Sequence, residues 1–164
     1  MPVLGAKLHP PRPRRRLVPR VRLTERLRAD GSERPRLVLV AAPAGFGKTT
    51  LLAQWLAAES SQCRVAWLAL DRQDADLRLF LTDLVSAIQT VAPEAGVDAM
   101  ALLEAGATTQ ADAALVSLIN DLDALAGPTV VALDDYHVID DGAVQEAVTF
   151  LLDNLLPPRL SEIS

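Results

Sequence analysis

With 164 residues, half of them apolar, the chain can bury the core of one domain, and disorder is not the default expectation. A single cysteine, Cys63, excludes an internal disulfide framework and a CxxC metal site, and no stretch approaches the ~18–20 uninterrupted apolar residues of a membrane span. The net charge of −5 hides a split: residues 1–36 hold eleven of the 16 Lys and Arg against three acids, a net of +8 that leaves −13 for residues 37–164.

Residues 1–19 contain five of the eleven prolines and read as an extended arm. The run Arg12-Pro-Arg-Arg-Arg16 could meet nucleic-acid phosphates, but it lacks interleaved aromatic residues for base stacking. A solvated basic arm lying against an acidic domain is the commoner outcome of such a split. No apolar segment follows the charged N-terminus, so a secretory signal is not expected and a cytoplasmic location is. Thr24 suits the N-cap of a short helix to about Arg28, ended by Asp30-Gly31-Ser32. Leu37-Val-Leu-Val-Ala41 predicts a first buried strand over about 37–42.

A helix follows from Lys48 to about Ala58, with Leu51, Leu52, Trp55 and Leu56 on one face. Arg64 to Leu70 reads as a second strand closed by Asp71. The next helix carries Leu77, Phe80, Leu81, Leu84, Val85 and Ile88 and ends before Pro93. Residues 93–110, rich in Ala and Gly, are expected to form a loop with one irregular turn. Ala111 to Leu125 is helical and stopped by Gly127-Pro128; Thr129 to Leu133 is a third strand. A last helix runs from Val144 to about Leu155, halted by Pro157-Pro158. Apolar strands alternating with helices imply an α/β fold, with a parallel sheet covered by helices on both faces.

Ala42-Pro-Ala-Gly-Phe-Gly-Lys48-Thr49-Thr50, placed between strand and helix, reads as a phosphate-binding loop. Backbone N–H groups of such a loop converge on phosphate oxygens, and the following helix presents its positive dipole end to the same anion. Gly45 and Gly47 supply the backbone freedom. Lys48 can reach the β- and γ-phosphates, and the Thr49 hydroxyl can ligate Mg²⁺. Ala42 stands where the general pattern has its first glycine, which ordinary extended geometry tolerates.

The third strand ends in Asp134-Asp135, and ligands of parallel α/β sheets sit beyond the carboxyl ends of strands. Asp134 is therefore placed to hold Mg²⁺, commonly through water, and Asp135 to polarise an attacking water or hold a residue that does. The competing reading of two acids at a strand end is a helix cap or plain solvation. His137 has no second histidine beside it and reads as a loop residue. Asp71, Asp74 and Asp76 read as turn and N-cap residues, with Asp71 at the edge of the site; Trp55 and Trp67 read as core.

Leu17-Val-Pro-Arg-Val-Arg-Leu23, the segment from Ala41 through Gly-Phe-Gly-Lys-Thr-Thr to Leu56, Val65-Ala-Trp-Leu-Ala-Leu-Asp71 and Leu133-Asp-Asp-Tyr-His137 together resemble one family. They resemble the N-terminal part of MalT-like, large ATP-binding LuxR-family transcription activators, a STAND-type NTPase segment, over about residues 6–159. An alanine at position 42 is usual in that family. The resemblance implies a P-loop NTPase that holds ATP or ADP with Mg²⁺ through Ala44, Gly45, Phe46, Gly47, Lys48, Thr49 and Thr50, with Asp134 and Asp135 as the metal-side acidic pair. It places Arg20 and Arg22 near the adenine. It further implies a switch in which ATP favours self-association, an inducer binds a C-terminal repeat domain, and a terminal helix-turn-helix binds promoter DNA.

On that pattern residues 1–36 form a basic arm and short helix, 37–160 a partial nucleotide-binding domain and 161–164 a tail. The family's next strand, bearing an arginine that senses the γ-phosphate, would follow Leu160, so weak or no hydrolysis is expected of this chain. Two other readings compete. A self-contained small ATPase or phosphotransferase would need an arginine lid, and after the loop only Arg64, Arg72, Arg78 and Arg159 are present. A non-catalytic module using its basic arm would show sharply salt-dependent DNA affinity.

Overall fold

The computed structural model describes residues 5–11, 40, 45–106 and 110–155. The first strand expected at 37–42, apart from Val40, the short helix at 24–28, Arg20, Arg22, Ala44 and the Pro157-Pro158 stop lie outside the described residues.

Helix α1 (Lys48–Glu59) starts on Gly47 in the left-handed region and closes with the Ser60 N–H donating to the Leu56 carbonyl. Strand β1 (Arg64–Ala69) runs parallel to strand β2 (Thr129–Asp134), in a register that pairs Arg64 with Thr129 and Ala69 with Asp134. Between them lie α2 (Leu77–Gln89), α3 (Val97–Ala105) and α4 (Gln110–Ala124), and α5 (Gly142–Leu155) follows β2. Short 3₁₀ turns occupy Gly5–Leu8, Arg72–Ala75 and Tyr136–Val138.

The period-2 alternation of the strands sorts the helices into two layers. Val65 and Trp67 of β1, with Val130 and Ala132 of β2, pack under Leu52, Trp55 and Leu56 of α1. The alternate residues Ala66, Leu68 and Leu133 face the other way, into a larger core. That core is built from Phe80, Leu81, Leu84, Val85 and Ile88 of α2, Ala99 and Leu103 of α3, Leu115, Leu118 and Ile119 of α4, and Val144 and Ala147 of α5. The molecule is thus an α/β fold of three layers, with α1 on one face of the parallel strands and, among the described residues, four helices on the other.

Two expectations are corrected. Residues 97–105 are helical, where a loop was expected over 93–110. The glycines of this stretch stand at its ends, Gly96 and Gly106, both at positive φ, and the residues between are largely good helix formers. Ala99 and Leu103, four residues apart, are buried. The arm is likewise not extended throughout, because Gly5–Leu8 forms a 3₁₀ turn seated against β1.

Candidate phosphate-loop site

The end of the phosphate loop turns on two glycines, Gly45 at φ 84° and Gly47 at φ 76°, conformations that cost a side-chain-bearing residue strain. Gly47 is also the N-cap of α1, so it offers the first-turn amides no side chain. Phe46 between them is exposed. Lys48, Thr49 and Thr50 form the first turn of the helix.

Asp134 is the third member of the series Val130, Ala132, Asp134 that faces α1. That alternation delivers its carboxylate to the helix start: the Thr49 hydroxyl donates to Asp134 Oδ1 at 3.0 Å, across 85 positions of sequence. The Asp135 N–H donates to the same oxygen at 3.1 Å. Asp134 is 8% exposed, and burial holds its carboxyl above the ordinary value of 3.8. The Thr49 hydrogen bond and the Lys48 charge oppose that rise, and the neighbouring Asp135 charge adds to it.

Asp135 takes a left-handed conformation, φ 57°, a non-glycine exception among the described residues. Its side chain is half exposed, and its Oδ1 stands 3.9 Å from Nδ1 of the exposed His137. Of the residues singled out in the sequence, Thr49 and Asp134 are in direct contact, Lys48 and Asp135 act on the same carboxylate, and Gly45, Phe46, Gly47 and Thr50 belong to the loop end and the first helical turn. Ala44 and Arg20 lie outside the described residues.

The turn that follows β1 is held by Lys7, a residue that sequence reasoning did not single out. Lys7 donates to both carboxylate oxygens of Asp74, at 3.0 and 2.8 Å, and to Asp83 Oδ2 at 2.8 Å, with Asp71 Oδ2 at 3.4 Å. Asp71 and Asp74 also cap the turn at 72–75 reciprocally: Asp71 accepts the Gln73 N–H at 2.7 Å, and Asp74 accepts the Asp71 N–H at 2.7 Å. Asp76 then caps α2 by accepting the Leu79 N–H. The three acids are thus turn and cap residues as expected, but the lysine that binds them comes from 67 positions upstream of Asp74, and no local pattern announces it.

A shallow depression of about 600 Å³ lies at the opposite end of the strands, between Ser60–Val65 and Ala126–Pro128. That is the wrong end of a parallel sheet for ligand binding. Among the described residues no group of three or more His, Cys, Asp and Glu side chains is arranged to hold a metal ion, and no helix is long and apolar enough to cross a membrane.

Glycines turning into a Lys-Thr-Thr helix start, with a strand-end carboxylate bonded to that threonine, define a P-loop NTPase fold. The chain belongs to the AAA ATPase domain family, whose model matches residues 17–161. It is 39% identical over 154 residues to the serine/threonine-protein kinase PknK of Mycobacterium tuberculosis, covering 93% of this chain and 14% of that protein. It is 35% identical over 126 residues to the HTH-type transcriptional regulator MalT of Yersinia enterocolitica, covering 77% of this chain and 14% of that protein. For MalT of Yersinia pestis the identity is 37% over 117 residues, 71% of this chain and 13% of that protein. The chain therefore spans about one-seventh of the length of these relatives.

Proposed function

We propose that this chain binds Mg-ATP or Mg-ADP and serves as the nucleotide-responsive switch segment of a signal-responsive transcriptional regulator of the MalT-like LuxR type. The observation that carries the nucleotide reading is the Thr49–Asp134 hydrogen bond at 3.0 Å, which sets a first-turn hydroxyl beside a buried carboxylate. In this reading the amides from Gly45 to Thr50 and the dipole of α1 bind the phosphates. Lys48 neutralises their outer oxygens. Ala44 completes the cradle, and Arg20 reaches the adenine end.

Thr49 and Asp134 are the residues that would hold Mg²⁺. The donor set fits that ion: both are hard oxygen ligands, and Mg²⁺ in nucleotide sites is commonly held by one or two carboxylates together with phosphates rather than by a full protein cage. When bound, the ion screens the charge of the β- and γ-phosphates. Asp135 would orient a water; its half-exposed carboxylate, one position beyond Asp134, fits that role.

The switch reading is supported by the relatives. A segment similar to this chain occurs in proteins named as a transcriptional regulator and as a protein kinase, which fits a regulatory segment shared between different outputs. Self-association and promoter binding would belong to the whole regulator.

Titration of a fluorescent ATP analogue with Mg²⁺ into the wild-type chain and into Lys48→Ala tests the nucleotide reading. Saturable binding that Lys48→Ala weakens by about a hundredfold or more is expected, as for loss of a charge-assisted phosphate contact. Equal affinity in the two proteins, or no binding by the wild type, would sink it.

A further inference from the structure

Lys7 belongs to none of the phosphate-binding parts, yet it is built into the end of the sheet that carries them. Its ammonium is mostly buried, with 14% of the side chain exposed, and it meets one fully buried carboxylate, Asp74, and one nearly buried carboxylate, Asp83. Burial opposes its charge, but the hydrogen bonds to Asp74 and Asp83 outweigh that and hold it protonated well beyond the ordinary lysine range. Leu8, the next residue, packs on the larger core. Residues 5–8 are therefore anchored by the apolar packing of Leu8 and by the ion pairs of Lys7.

The ionic contact leads toward Asp134 in few steps. Lys7 binds both members of the Asp71–Asp74 capping box. Asp71 directly follows Leu70, whose N–H donates to the Asp134 carbonyl at 3.0 Å and so extends the parallel ladder past the end of β1. The main chain of Asp134 is held by that bond, while its side chain takes the Thr49 hydroxyl and the Asp135 N–H.

We propose that Lys7 is a positioning residue for the magnesium side of the site: by clamping the 71–74 turn it fixes Leu70 against Asp134, and so sets the Asp134 carboxylate at Thr49. This rests on the nucleotide reading above. The N-terminal segment is then a brace of the site, and a change in its seating alters the response to the metal ion more than the grip on the phosphates.

The test uses the 164-residue chain with Lys7→Met, which keeps the length of the side chain and removes its charge, and Lys7→Arg, which keeps the charge. Amide exchange followed by NMR in the absence of nucleotide reports the clamp directly. The Leu70 and Asp135 amides of Lys7→Met should exchange about tenfold faster or more, with amides inside α1 and α4 unchanged. ATP affinity is then measured with Mg²⁺ and with EDTA. The gain in affinity that Mg²⁺ confers should fall about tenfold in Lys7→Met, the affinity in EDTA should stay within about twofold, and Lys7→Arg should restore the gain.

Unchanged exchange at Leu70 and Asp135 overturns the clamp. Faster exchange with the full Mg²⁺ gain overturns its positioning role, and equal losses with and without Mg²⁺ reduce Lys7 to a structural residue. A wild type that binds no ATP overturns the nucleotide reading, and with it the positioning role, while the exchange data still decide the clamp. Should Lys7→Met fail to fold with its acids left unpaired, the same measurements apply to Lys7→Met/Asp74→Asn/Asp83→Asn, in which the side-chain amide at position 74 keeps an oxygen for the Asp71 N–H. That neutral variant should fold and still lose the Mg²⁺ gain; a wild-type gain would overturn the proposal.

Discussion

Asp134 sits at a compromise between burial and charge. Its folded-state pKa lies above 3.8, chiefly because it is buried, so the folded chain holds the proton more tightly than the unfolded chain does. Its contribution to stability is full below that value and is lost as pH rises through the raised pKa. Asp134→Asn removes the titration while keeping an oxygen for the Thr49 hydroxyl. The ligand-free variant should therefore be more stable than wild type near neutrality, with the difference shrinking as pH falls; urea denaturation at about pH 7.5 and about pH 4.5 checks the sign. The Thr49–Asp134 pairing was legible in the sequence because two regular periods lead to it, a helix start and a strand alternation. Lys7 was not: a single lysine carries no period, and its partners lie 67 and 76 positions away.

At the scale of elements, the junction before α3 is tightly packed. Gly96 takes φ 76° and its N–H donates to Asp121 Oδ2 at 2.8 Å, tying the start of α3 to α4. A Cβ there would stand 2.7 Å from Val85 Cγ1 and 3.3 Å from Leu118 Cδ1, inside the core between α2 and α4. Gly96→Ala combines positive-φ strain with overpacking and should destabilise by about 2–3 kcal/mol, read as a lower denaturation midpoint with unchanged slope. The same glycine explains why α3 was misread. In sequence it stands as a breaker in an alanine-rich stretch, whereas in space it closes one boundary and opens the next. Helix α3 is also short and weakly amphipathic, so its stability comes from packing on α4, which a one-dimensional pattern does not display. Helices α1, α2, α4 and α5 and both described strands, whose apolar residues recur at 3.6 or 2, were legible to within one or two residues.

For the whole molecule, the nucleotide reading predicts coupling between ligand and global stability. With Mg-ATP at a hundred times the wild-type dissociation constant, mass action adds about 2.7 kcal/mol, and Lys48→Ala, bound about a hundredfold more weakly, should gain only about 0.4 kcal/mol or less in a calorimetric or spectroscopic melt. The three-layer build decides where that energy enters. Helix α1, which the nucleotide reading sets at the phosphates, rests on the thin layer under one face of the strands, whereas the bulk of the core lies beyond the other face.

The chain's two tryptophans, Trp55 and Trp67, both sit in that thin layer, and the four-helix core has none. Indole emission therefore reports the layer in which α1 packs on the strands, while far-UV ellipticity is weighted toward the other four described helices. Followed together through a denaturant series, the two signals separate any partial loosening of α1 from global melting, and coincident curves mark a single cooperative unit. The protein carries a built-in optical gauge, without any added label, for the one helix on which nucleotide would act.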